Sequence, residues 1–180
     1  MWYLINLELI MQKRKCTKYF LIILCFLGFE LQAQIKNQEF KLMLDNLYEH
    51  HVPLISVENL IKLNKKEVYI LDTREEEEFN VSHIKNARNV GYFWFDMRKL
   101  YDIPINATIV VYCSVGMRSE KIVKKLLDAG YKNVYNLYGS LFEWVNQGKP
   151  VYKNNAVQTS EIHTYTESWS RWVSRGTKVN

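Results

Sequence analysis

The stretch VVYCSVGMRSEKIV, residues 110 to 123, sets one cysteine between an apolar run and a helix-like segment. A glycine follows three residues later and an arginine five. Cys113 falls at the end of a β-branched run, and open parallel sheets bind ligands beyond the carboxyl ends of their strands. The loop through Arg118 leads into a helix expected to begin near Ser119, whose free N–H groups and dipole form an anion cradle. Gly116 permits the tight turn, and the loop N–H groups from Ser114 through Val115 and Met117 to Arg118 add donors. A cysteine facing such a cradle has a lowered pKa and is a thiolate at neutral pH. Arg118 adds a permanent charge and a planar fork that suits an oxyanion. The chemistry these residues support is a sulfur nucleophile acting on an anionic substrate.

Loop length narrows that chemistry. Four residues separate Cys113 from Arg118. A tetrahedral phosphate or arsenate on the sulfur needs a wider loop, whereas a single extra sulfur atom fits. The plainer alternative is a buried apolar cysteine.

The elements that must position this loop follow from periodicity. Thr108 to Tyr112 is continuous and β-branched, as in a central strand covered on both faces. Ser119 to Ala129 is expected to be helical, with Ile122, Val123, Leu126 and Leu127 on one face and Gly130 as its stop. Leu54-Ile55, Val68 to Leu71, Asn89-Val90 and Val134 to Leu137 read as further short strands. Ser56 caps a helix over VENLIKL, and Leu141 to Val145 opens another that stops near Gly148-Lys149-Pro150. Phe40, Leu44 and Leu47 share a helical face ahead of Pro53, with His50 and His51 at an exposed helix end. Strands alternating with helices indicate an α/β fold with a mostly parallel sheet.

Residues 11 to 33 have the layout of a secretory signal, with a basic start, an apolar run from Tyr19 to Phe29, and Leu-Gln-Ala before Gln34. Met11 is the better start, and cleavage is expected after Ala33. The apolar run is about half of the ~20 residues that span a bilayer, so a retained anchor is the lesser reading. Leu24 sits where a lipoprotein signal at Cys25 would want a small residue. Export removes Cys16 and Cys25, leaving Cys113 as the single thiol, with no internal disulfide and no metal site built on several cysteines. The net charge is +5, of which the first 33 residues carry +2, leaving +3. That is too weak and dispersed for a nucleic-acid binder.

The loop Cys113-Ser-Val-Gly116-Met-Arg118-Ser119 resembles the active loop of the rhodaneses, the single-domain sulfurtransferases, which has the form C-x-x-G-x-R-[ST]. Upstream, LDTREEEEFNVSHIKNARNV is similar to the family's second signature at Asp72, Arg74, Glu78, Phe79, His83, Ile84, Ala87 and Asn89. Downstream, NLYGSLFEWVNQGKPV resembles the family's glycine-glycine helix start with its tryptophan and G-x-P-V ending. The three matches occur in the family's order over residues 53 to 152, and such a set in register is specific. Ser82 and Ser140 stand where the family usually has glycine, and the loop carries no second cation.

The resemblance implies a rhodanese-like α/β domain with helices on both faces of the sheet. It implies transfer of a sulfane sulfur through a Cys113 persulfide, from a small anionic donor such as thiosulfate or polysulfide to cyanide or a thiol. No cofactor is implied. The expected organisation is a signal peptide over 1–33, a helical extension over 34–52, the rhodanese-like domain over 53–152, and an extension over 153–180 docked on it. Asp72 and Arg74 are expected to brace each other and the loop, and His83 to hydrogen-bond within the fold. Glu75 to Glu78 reads as a solvated helix start favoured by the dipole. Tyr92, Phe93, Trp94 and Phe95 read as core and pocket wall, and Trp169, Trp172 and Val173 as one helical face of the docked tail. Two rivals stay open: a phosphatase or arsenate reductase using the same cradle, and a non-catalytic binding module.

Overall fold

The computed structural model describes residues 37–49, 51–63 and 68–180. The signal expected over 11–33 and His50 lie outside the described residues. Among the described residues, no helix is long and apolar enough to cross a membrane.

Helix α1 (Gln38–Leu47) begins at Asn37, whose side chain accepts from the N–H groups of Glu39 and Phe40. His51 is exposed beyond it. Then come β1 (Leu54–Ile55), α2 (Val57–Lys62), β2 (Val68–Asp72), α3 (Glu76–Val81) and β3 (Arg88–Asn89). A 3-10 turn (Met97–Leu100) precedes β4 (Thr108–Tyr112), α4 (Met117–Asp128), β5 (Asn133–Leu137) and α5 (Ser140–Asn146). The five strands form one parallel sheet in the order β1-β5-β4-β2-β3.

The central strand explains the two-sided core. Its side chains alternate, so Ile109 and Val111 face one layer while Val110 and Tyr112 face the other. Ile122, Val123 and Leu126 of α4 close the first layer, with Leu71 and Val134 beneath. Phe40 and Leu44 of α1, Val57 and Leu60 of α2, and Leu141, Phe142 and Val145 of α5 close the second. Both faces are covered, as an all-parallel sheet requires.

The chain past the sheet is β-rich rather than helical. Strands β6 (Val151–Lys153) and β7 (Val157–Thr159) form an antiparallel hairpin, and β8 (Glu161–His163) pairs in parallel with β9 (Thr177–Val179). The helix expected to present Trp169, Trp172 and Val173 is one turn, α6 (Glu167–Ser170), too short to carry all three. The residues dock individually. Val173 and Ile162 are buried in the second layer, and Trp172 stacks on Phe40 with ring centroids 5.6 Å apart.

Candidate active site

Cys113 follows the last residue of β4, beside the carboxyl end of β2, where Thr73 N–H donates to Tyr112 O at 2.9 Å. Helix α4 starts at Met117, two residues earlier than its sequence indicated, with Gly116 as its N-cap at φ +112°. Glycine tolerates this positive-φ backbone, which a β-branched side chain would resist, so the helix can begin immediately after it. Only Ser114, Val115 and Gly116 then separate the sulfur from the helix. The cup is tighter than a six-residue loop would make it.

The loop is pinned on three sides. From β5, Asn136 donates to Gly116 O at 3.0 Å and accepts from Ser119 Oγ at 2.7 Å. From the start of α5, Leu141 and Phe142 N–H groups donate to Cys113 O and Ser114 O at 3.1 and 3.0 Å. Ser140 Oγ accepts from Cys113 N–H at 3.2 Å, so the serine that replaces a family glycine holds the cysteine backbone. From α1, Tyr48 O–H donates to Val115 O at 2.8 Å and accepts from Gly139 N–H at 3.1 Å.

The sulfur sits at the base of this frame. Gly116 N–H donates to Cys113 Sγ at 3.1 Å, and Ser119 Oγ stands 3.6 Å away. Burial pushes the thiol up, but the Arg118 charge, the Ser119 and Gly116 N–H groups and the Ser119 hydroxyl outweigh it and hold Cys113 below the usual thiol range.

Arg118 is not a free fork. Its Nη1 and Nη2 donate to Glu78 Oε2 and Oε1 at 2.7 and 2.8 Å, and Nη2 also reaches Ser114 Oγ at 3.2 Å. This corrects the reading of the acidic run: Glu76 and Glu77 are exposed, but Glu78 is buried and closes a two-pronged ion pair. Burial pushes the Glu78 carboxyl up; the hydrogen bonds and charge of Arg118, with Arg74 behind it, hold it below the ordinary carboxylate range. Glu78 also accepts from Glu75 N–H at 3.1 Å, completing a capping box that fixes the first turn of α3.

Asp72 and Arg74 stand one layer behind. Arg74 is fully buried, gripping both Asp72 oxygens and donating to Glu78 O and Ser82 O at 3.3 and 2.7 Å. It ties the end of β2 to α3 and so presents Glu78 to Arg118. Ser82 Oγ donates to Glu161 O at 2.6 Å, anchoring β8 to the same helix end. His83 is buried, with ring nitrogens 3.0 Å from Phe79 O and 3.1 Å from Asn155 Oδ1.

Above the sulfur lies a pocket of about 160 Å³. Val115, Met117, Arg118 and Lys121 line one side, and Tyr92 and Phe93 a second. Trp94 is 86% exposed rather than core. The third wall comes from the tail: Tyr165, whose ring lies 5.6 Å from the Arg118 guanidinium, and Trp169. Sequence reasoning did not bring Tyr48, Asn136, Tyr165 or Trp169 to the site: Asn136 opens the downstream motif and Trp169 was read only as part of the docked tail, while Tyr48 and Tyr165 carry no local signature. Glu78 was visible in the second motif, but its partner was not.

The family model described as a rhodanese-like domain matches residues 56–147. The chain belongs to the rhodanese-like family. It is 30% identical over 96 residues to the adenylyltransferase and sulfurtransferase uba4 of Ogataea parapolymorpha, covering 53% of this chain but 24% of that protein. This rhodanese-like chain thus corresponds to about a quarter of that relative's length. It is 29% identical over 86 residues to the thiosulfate sulfurtransferase GlpE of Coxiella burnetii, covering 46% of this chain and 76% of that one. The crystal structure of the BH2092 protein of Bacillus halodurans shares its fold, with a TM-score of 0.52 at 17% identity over 67% of this chain and 88% of that one.

Proposed function

We propose that the protein is a sulfurtransferase that carries a sulfane sulfur as a persulfide on Cys113. The observation that carries this reading is the sulfur itself, buried, depressed in pKa and met by Gly116 N–H at 3.1 Å. In the first half-reaction the thiolate attacks the outer sulfur of a donor. An Sγ–S bond forms, the donor's S–S bond breaks, and its electron pair leaves with the departing group, sulfite when thiosulfate is the donor. In the second, a thiol or cyanide takes that sulfur and restores the thiolate. Backbone N–H groups at the helix start stabilise the persulfide anion as they do the thiolate.

Arg118, braced by Glu78, keeps the sulfur ionised and presents its outer edge to the donor. Relatives named as sulfurtransferases support the reaction class. With three residues between the sulfur and α4, the cup suits one added sulfur better than three phosphate oxygens. Residues 11–33 support a protein exported to the periplasm or beyond, where its own thiol is the single one. N-terminal sequencing that begins at Gln34 is the expected result.

The test of the activity is thiocyanate formation from polysulfide and cyanide. Wild-type protein should turn over and Cys113→Ser should not; equal rates would remove the cysteine from the reaction.

A further inference from the structure

We propose that the pocket over Cys113 takes an organic, singly charged sulfane-sulfur donor bearing one apolar ring, and that Tyr165 and Trp169 of the C-terminal segment select it. The inference rests on the persulfide reading above and names the substrate class for that site.

Charge comes first. Arg118 and Lys121 bring two positive charges to the pocket, while Glu78 and the Cys113 thiolate bring two negative ones. Among the described pocket-lining residues, Lys121 is the cation that no carboxylate holds. Those four charges sum to zero, so a dianion would leave the site at minus two at low dielectric and a monoanion at minus one, the smaller excess and the one that Lys121 faces on approach.

Shape and surface point the same way. Phe93 is 70% exposed and Tyr165 56%, and both face the space above the sulfur with Tyr92, Met117 and Trp169. Large apolar side chains held open around a nucleophile mark a binding surface rather than a solvated rim. The volume of about 160 Å³ is close to that of cavities, about 150 Å³, that admit one benzene-sized ring.

The aromatic wall is a built part of the fold. Thr164 N–H donates to Val179 O at 2.8 Å, locking β8 to β9. Tyr165 takes φ +67° and its N–H donates to His163 Nδ1 at 3.1 Å, which turns the ring towards Arg118. Trp169 N–H donates to Thr166 O at 3.1 Å in the turn that follows.

An aryl thiosulfonate has the required chemistry. The thiolate attacks its terminal sulfur, the Sγ–S bond forms, and the bond from that sulfur to the sulfonyl group breaks with its electron pair leaving on the sulfinate. Two monoanions enter and two leave, so no oxidant or reductant is needed.

The test compares loading of Cys113 from benzenethiosulfonate, methanethiosulfonate and thiosulfate, read as KM and kcat. The two thiosulfonates share charge and reacting group and differ in the ring. Wild-type protein should show a KM for the aryl donor about tenfold below that for the methyl donor, with thiosulfate the weakest. Trp169→Ala and Tyr165→Ala should each shrink the aryl-to-methyl ratio severalfold, with Trp169→Leu as a second variant if the first fails to fold. Equal KM values for the two thiosulfonates, or a ratio kept in the variants, would overturn the inference while sulfur loading leaves the persulfide reading standing. No loading of Cys113 from any of the three donors would overturn both.

Discussion

Cys113 and Arg118 divide the chemistry between them, and each can be read by titration. Because burial alone raises the thiol, its lowered pKa depends on Arg118 first and on the loop N–H groups next. The rate of alkylation against pH should show a midpoint below the free-thiol value of about 8.5. Arg118→Ala should move that midpoint up, and Arg118→Lys should restore part of the shift but less of the sulfur loading, since an ammonium cannot match the fork held by Glu78. Glu78 gives a stability signal of its own. Its folded pKa is depressed, so the contribution of the pair is complete above the unfolded carboxylate value of about 4.3 and is lost as pH falls through the folded value. Glu78→Gln should lower thermal stability at neutral pH and flatten its fall in acid. An unchanged acid limb would place that fall elsewhere.

At the scale of elements, the loop works because strand, helix starts and α1 agree on one position for it. A Cβ on Gly116 would lie 2.1 Å from Tyr48 Oη, on a backbone already at φ +112°. Gly116→Ala should cost at least ~1–2 kcal/mol for the left-handed backbone, with the overlap in addition. Tyr48→Phe leaves Val115 C=O and Gly139 N–H without their partner and should cost about 1–3 kcal/mol, measured by denaturant unfolding. Much of this scale was legible beforehand. The β-branched TIVVY strand, the Ser56 cap and the amphipathic face of α4 are local signals, and each stands where the sequence put it. The start of α4 was displaced by two residues because Met117 and Arg118 look like loop residues until Gly116 is known to cap the helix. Glu78 was misjudged for a similar reason: it ends a run whose neighbours Glu76 and Glu77 are exposed, and only its ion pair with Arg118, forty residues away in the chain, shows why it is buried.

Across the whole molecule, the flanks of the matched region enter the same core as its centre. Phe40 of α1, Ile162 of β8 and Val173 share one buried layer with Val110 and Tyr112 of the central strand. Phe40→Ala should therefore destabilise the protein by about 3–5 kcal/mol, as for an aromatic lost from a core rather than from an appendage. The tail gave few cues in advance, since three-residue strands show too little alternation to be read and the partners in β8 and β9, such as Glu161 and Thr177, lie 16 residues apart. Its aromatic wall, like the ion pair beneath it, exists only once distant segments meet. The central claim is that this assembly makes Cys113 a sulfur carrier, and the intact mass of the protein after polysulfide treatment and desalting tests it most directly. Wild-type protein should gain the mass of one sulfur atom, lose it on addition of cyanide, and show no gain as Cys113→Ser. A wild-type mass that does not change, or a gain that persists in Cys113→Ser, would contradict the account.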